Sequence, residues 1–407
     1  MTAVADLAAE AATGDRLARR NALVLALGQA LAGGNAAVIT ATGGIVGATL
    51  GPDRALATLP LTTFVVGQWL GTVPVGWLAK NRGRRTAFLA GAACGMASGL
   101  LGALAVLRGS FALFLLATFC GGLYAAAHQS YRFAAADTAS ETFRPKAISL
   151  VLVGGLFGAF VGPQLVILTK EYWPPYLFAA SYLAQAGVAV VAALVVSFVR
   201  IPPPVAQPGA RGGRQLGEIA GQSRFIVAVI AGVASYALMN LVMTSAPLAM
   251  VIECNHSVTD ATLGQQWHIL AMYAPSFFTG ALLVRYGADR MIAAGMVLLT
   301  ASAVVGLAGT SVAHFWAVLI LLGVGWNFAF IGATTMVTQC HRVEERNKVQ
   351  ALNDFLVFGS MALSSFGSGQ LLASFGWAAV NVVMFPVIAV TVGLLAWLAI
   401  RGRTRHA

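Results

Sequence analysis

Gly76-Trp77-Leu78-Ala79-Lys80-Asn81-Arg82-Gly83-Arg84-Arg85 places four cations and two glycines between two apolar runs, 55–79 and 86–107. Each run is long enough to cross a bilayer, which takes about 20 apolar residues. A short basic turn between two such runs reads as a cytoplasmic connection. A second stretch, Gly280-Ala281-Leu282-Leu283-Val284-Arg285-Tyr286-Gly287, closes a later apolar run. In both stretches six residues separate the glycines, and the offset between them is 204 residues. Gly122 and Gly325 repeat at an offset of 203. A shared offset near half of the 407 residues points to an internal duplication.

Working outward from this turn gives twelve apolar runs: 21–46, 55–79, 86–107, 110–136, 147–169, 175–199, 224–252, 260–284, 290–309, 312–338, 349–372 and 376–400. The composition agrees. The chain is 58% hydrophobic and 10% charged, against about 25% charged in a soluble domain. So much apolar surface needs lipid or other helices to cover it. The expected fold is an all-α membrane protein of twelve transmembrane helices in two six-helix bundles with pseudo-two-fold symmetry.

The 25 Lys and Arg settle an orientation. With a cytoplasmic N-terminus, 22 fall on the cytoplasmic side, and only Arg54, Arg108 and Lys170 fall outside. The expected organisation is an N-terminal tail 1–20, a bundle 21–199, a linker 200–223, a second bundle 224–400 and a tail 401–407. The linker opens with Ile201 and three prolines and is rich in Pro, Gly and Arg, as a flexible cytoplasmic connection would be. Both termini are cytoplasmic in this reading. The first 20 residues are polar, carry Asp6, Glu10 and Asp15, and do not read as a cleavable signal.

Several function classes drop out. Net charge is +11, but the cations sit in clusters between spans, with no zinc-finger or RNA-binding pattern, so no nucleic acid is expected. Cys94, Cys120, Cys254 and Cys340 form no CxxC pair and read as reduced, buried thiols. Scattered Ser and His make no nucleophile–base–orienter set, so no enzyme and no resident cofactor are expected. A monomeric carrier in a bacterial inner membrane, with the lipid bilayer as its surroundings, remains.

The stretch from Gly76 to Arg85 resembles the loop signature G-x3-D-[RK]-x-G-[RK]-[RK] of the major facilitator superfamily. Lys80 stands where that family has Asp, and Asn81 where it has a base. Gly76, Gly83, Arg84 and Arg85 are kept. The resemblance implies a gating role for these four. It also implies alternating access by rocking of two bundles around a central cavity. Arg132 and Asp137, near the end of the fourth span, are assigned to gating or helix contacts.

Polar groups inside spans are costly and therefore functional suspects. The seventh span carries Met239-x3-Met243 and the eighth His268-x3-Met272. Residues four apart share a helix face, and thioether and imidazole suit copper. At about 1.5 Å per residue, all four lie within one layer less than about 10 Å thick. A cluster of three thioethers and one imidazole is thus geometrically possible, and plain packing would use the same residues.

This pair of motifs resembles the CcoA-like branch of the superfamily, whose members import copper for cytochrome c oxidase assembly. By that resemblance Met239, Met243, His268 and Met272 handle the metal, and Cys254 is a thiol relay. The implied substrate is a copper ion, passed on to a cytoplasmic copper chaperone. The same branch includes members resembling riboflavin importers. For a flavin or another small organic solute the residues of interest are Trp267, Tyr124, Tyr131, Trp326, Asn327, Asn240 and Gln129.

Overall fold

A computed structural model describes residues 2–140, 143–201, 213–342 and 345–403, with side chains from 15 onward apart from 145, 346, 347, 402 and 403. Every regular element among the described residues is helical. The helices are α1 (Thr2–Leu50), α2 (Leu59–Arg82), α3 (Arg84–Arg108), α4 (Phe111–Asp137), α5 (Arg144–Thr169) and α6 (Ala179–Ser197). They continue as α7 (Ser223–Leu248), α8 (Val258–Tyr273 with Ser276–Tyr286), α9 (Ala288–Ala308) and α10 (Val312–Thr338). The last apolar stretch, Lys348–Arg401, is 54 residues long, twice what one crossing takes. It breaks at Gly376, whose φ is 73°, into α11 (346–375) and α12 (377–403). Counted so, with α8 as one bent span, the described residues hold the twelve spans expected.

The chain divides into two compact units: Met1–Gly51 with Thr63–Ala206, and Pro52–Thr62 with Gln207–Ala407. In the first, α1 packs on α5 and α3 on α4 and α6; in the second, α9 packs on α10 and α7 on α11.

The duplicated glycines have a physical reason. Gly83, opening α3, has φ 87° and ψ 159°; Gly287, opening α9, has φ 81° and ψ 163°. Both are in a region that a side chain would oppose. The same strained turn therefore reverses the chain in each half. Arg84, beside it, donates from Nε to Asp137 Oδ2 at 3.0 Å. The carboxylate that the loop lacks at Lys80 is thus supplied to Arg84 by the end of α4.

One boundary reads differently from expectation. The tail 1–20 is not set apart, because one helix runs from Thr2 through the first span to Leu50. Of the linker 200–223, residues 202–212 lie outside the described residues, as do 404–407 of the C-terminal tail. The linker's last part is tied down. Glu345, fully buried between α10 and α11, accepts from Arg214 Nε at 3.0 Å, Arg214 Nη2 at 2.8 Å and the amides of Arg214 and Arg342 at 2.8 and 2.9 Å. Arg214 Nη2 also donates to the Cys340 carbonyl, which takes a second bond from Gln222. The Arg214 guanidinium, then the Arg342 amide, hold the Glu345 carboxyl well below the usual carboxylate range.

A depressed carboxylate stabilises the fold above its unfolded value, about 4.3, and loses that contribution as pH falls through the folded value. The melting-temperature gap between the parent protein and Glu345→Gln is therefore expected to be flat from pH 8 to 5 and to shrink below about pH 4. A gap that closes between pH 8 and 6 would refute this account.

Candidate functional site

Each unit carries its own group of polar and aromatic side chains inside the spans. In the first unit Gln29 of α1 meets His128 of α4, with Nε2 and Nδ1 3.3 Å apart. The amide is the donor here, so Nδ1 accepts and the proton sits on Nε2. That nitrogen is covered and has no partner. Tyr124 and Tyr131 flank the imidazole edge-on, with centroids at 5.9 and 6.3 Å. Phe88 closes on Tyr131 at 4.5 Å. Further along α1, Asn35 Oδ1 accepts from Gln185 Nε2 at 3.0 Å. Beside them is a cleft of about 140 Å³ lined by Gly34, Val161 and Gly162 among others. Sites for drug-sized ligands run from about 300 Å³ upward, so this cleft is packing space.

In the second unit the bend in α8 organises the site. The helix breaks between Tyr273 and Ser276 with a 41° change of direction, at Pro275, which has no N–H to continue the ladder. Asn327 of α10, fully buried, stitches the break. Its Nδ2 donates to the Met272 carbonyl at 2.7 Å and to Ser276 Oγ at 2.8 Å, and its Oδ1 accepts from Thr279 Oγ1 at 2.7 Å. One turn before the break, His268 is fully buried with Nδ1 2.8 Å from the Leu319 carbonyl. A carbonyl only accepts, so Nδ1 carries the proton and Nε2 presents a lone pair, which has no partner.

Of the residues proposed as copper ligands, Met239, His268 and Met272 are buried and Met243 is half-buried. α7 and α8 do meet at this level, where Gln265 Nε2 donates to the Met243 carbonyl at 2.7 Å. Cys254 lies past the π-helical turn Ala249–Glu253 that ends the span. Burial, then the Glu253 carboxylate, push its thiol up. It is therefore held protonated, the poor form for binding metal. Among the described residues no three His, Cys, Asp or Glu side chains form a group that could hold a metal.

Of the gating residues, the structure brings Arg84 and Asp137 together. Arg85 and Gly76 are exposed and Gly83 half-buried. Arg132 is exposed and lays its guanidinium over the Phe133 ring at 4.8 Å.

The aromatic groups sort differently. Trp267 is 42% exposed and belongs to no ring cluster among the described residues. Asn240 is buried and donates to the Met361 carbonyl at 3.0 Å. Trp326 and Phe330, four apart on α10, stack at 5.2 Å and 13°. Tyr236 of α7 meets Trp326 at 5.2 Å and Phe330 at 4.8 Å, nearly at right angles to both, and reaches Phe358 of α11 at 6.2 Å. Sequence reading had singled out Trp326 but missed Tyr236, Phe330 and Phe358. The i, i+4 pair on α10 was the available signal.

The family model of the Major Facilitator Superfamily matches residues 25–271 and 228–407. The chain belongs to the Major Facilitator Superfamily. It is therefore a multi-pass inner-membrane protein of a transporter family. A relative from Brucella anthropi, riboflavin transporter RfnT, is 48% identical over 393 residues, covering 96% of this chain and 98% of the relative. The uncharacterised superfamily transporter YdeG of Bacillus subtilis is 29% identical, with 95% and 93% covered. A crystal structure of a mutant of the peptide transporter POT matches with a TM-score of 0.72 at 16% identity, covering 96% of this chain and 99% of that one. A bacterial homologue of the lysosomal transporter Spinster matches at 0.67 and 15% identity, with 95% and 97% covered.

These relatives correct the expected substrate. Copper import, the copper chaperone partner and the CcoA-like branch do not stand, because the relative matched end to end at 48% identity is a riboflavin transporter. The physical reason for the misreading is that Met and His at these spacings pack a helix core as readily as they bind a soft metal.

Proposed function

We propose that this chain imports riboflavin across the inner membrane. The observation that carries the reading is the 48% identity to riboflavin transporter RfnT over 96% of this chain. The side chains inside the spans suit such a cargo. Riboflavin is an uncharged solute with a flat three-ring head and a polyhydroxyl tail. Flat rings stack on aromatic side chains, and the head's carbonyls and nitrogens want donors such as the Trp326 indole N–H.

The mechanism we propose is alternating access by two bundles, 21–199 and 224–400, joined through 200–223. Arg84, paired with Asp137 in the described structure, would open and close with the turn at Gly83. Both termini are placed in the cytoplasm, because 22 of 25 Lys and Arg then lie inside.

The test is uptake of labelled riboflavin by a strain that cannot make it, expressing the full chain with a C-terminal fluorescent protein that matures only in the cytoplasm. Saturable uptake, growth on low riboflavin and a fluorescent fusion are the expected results, with Asp137→Asn slowing uptake at equal expression. Radioactive copper, run in parallel, is expected to stay at the vector level. Riboflavin uptake no greater than in cells with empty vector, from protein present in the membrane, would refute the reading.

A further inference from the structure

The indole nitrogen of Trp326 is covered, yet no acceptor reaches it. Buried tryptophans normally pair this donor, and others in this chain do. Trp377 Nε1 donates to the Gly306 carbonyl at 3.1 Å, and Trp316 Nε1 to the Asp260 carbonyl at 2.9 Å. Among the described residues Trp326 is the one tryptophan with a covered, unpaired N–H. An unmet buried donor destabilises a fold, so its presence asks for a ligand that meets it.

Its surroundings say what kind. Trp326 is 6% exposed, while Tyr236, Phe330 and Phe358 around it are half-buried. The stacked Trp326–Phe330 pair and the perpendicular Tyr236 present ring planes in two orientations. Such a set can stack on a flat ligand and bracket its edge.

We infer that Tyr236, Trp326, Phe330 and Phe358 form the seat of the substrate's isoalloxazine ring, with the Trp326 N–H donating to a carbonyl or nitrogen on its edge. This rests on the riboflavin reading and adds which part of the molecule the second unit recognises. The ring system is held here, and the ribityl tail is not what the cluster selects.

The experiment uses purified full-length protein in detergent and follows quenching of riboflavin fluorescence, which stacking on an indole produces. Lumichrome, a ring system without the ribityl chain, is expected to compete, and ribitol is not. Trp326→Phe keeps a stacking ring and removes the donor, and should weaken riboflavin binding about tenfold. Trp326→Ala removes the ring as well and should weaken it about a further tenfold. Should Trp326→Ala not purify as a folded monodisperse species, Trp326→Phe decides. Parent protein that binds riboflavin while Trp326→Phe matches its affinity and quenching would overturn the assignment and leave the transport reading intact. Competition by ribitol without lumichrome would overturn it too. Parent protein that neither binds nor transports riboflavin would overturn both.

Discussion

Gly154→Leu is expected to leave no folded protein in the membrane, and Gly154→Ala to fold with a loss of about 2–3 kcal/mol. A Cβ at Gly154 would stand 2.0 Å from the Ala26 carbonyl oxygen and 2.7 and 2.9 Å from the Ala26 carbonyl carbon and Cα. All three are backbone atoms, so no rotamer change relieves the contact; α1 and α5 must separate along their length. Helices in a membrane gain little from hydrophobic burial against each other, so such close backbone approach is a main source of their association. Gly187→Ala in α6 is the control, since a Cβ there meets nothing within 4 Å. It should change stability by no more than about 0.5 kcal/mol. Thermal unfolding in detergent measures both. The account fails if Gly154→Ala and Gly187→Ala unfold at the same temperature.

The second large effect is expected at Asn327. Asn327→Leu keeps the volume and removes three interactions at once, those with the Met272 carbonyl, Ser276 and Thr279. Side-chain hydrogen bonds between membrane helices average about 0.6 kcal/mol and reach about 1.7. The three together should therefore be worth about 2–3 kcal/mol. The loss should also change transport, because these bonds hold the 41° bend in α8. A double-mutant cycle with Thr279→Val reads the coupling directly. Strict additivity in that cycle, with uptake unchanged in Asn327→Leu, would mean that the bend does not depend on this residue.

These positions show what a single sequence could and could not disclose. The twelve spans were legible because apolar runs and cation clusters are local signals. The turns at Gly83 and Gly287 were legible as a pair, because a duplicated strained conformation keeps its glycine in both copies. The bend in α8 was not read, since 260–284 reads as one continuous span; Pro275, followed by Ser276 and Thr279, was the mark to weigh. Asn327 stood out as a polar group inside a span, but its partners lie 48 to 55 residues away. Tyr236 and Phe358 join Trp326 from separate helices, and helix rotation does not show in a sequence. The methionine and histidine spacings were real, and they carried an ambiguous chemistry that the whole-chain comparison turns away from copper.

The buried Glu345 also dictates an order of events on the ribosome. Its partner Arg214 precedes it by 131 residues. At about 5–20 residues per second, the guanidinium waits on the order of ten seconds before its carboxylate has been translated. Until then α7 to α10 are made with that guanidinium short of its carboxylate, and the connection into α11 cannot set. The clasp between Arg214 and Glu345 can therefore close only late in synthesis. It acts as a seal on α7 to α10, already made, while α11 and α12 are still to come.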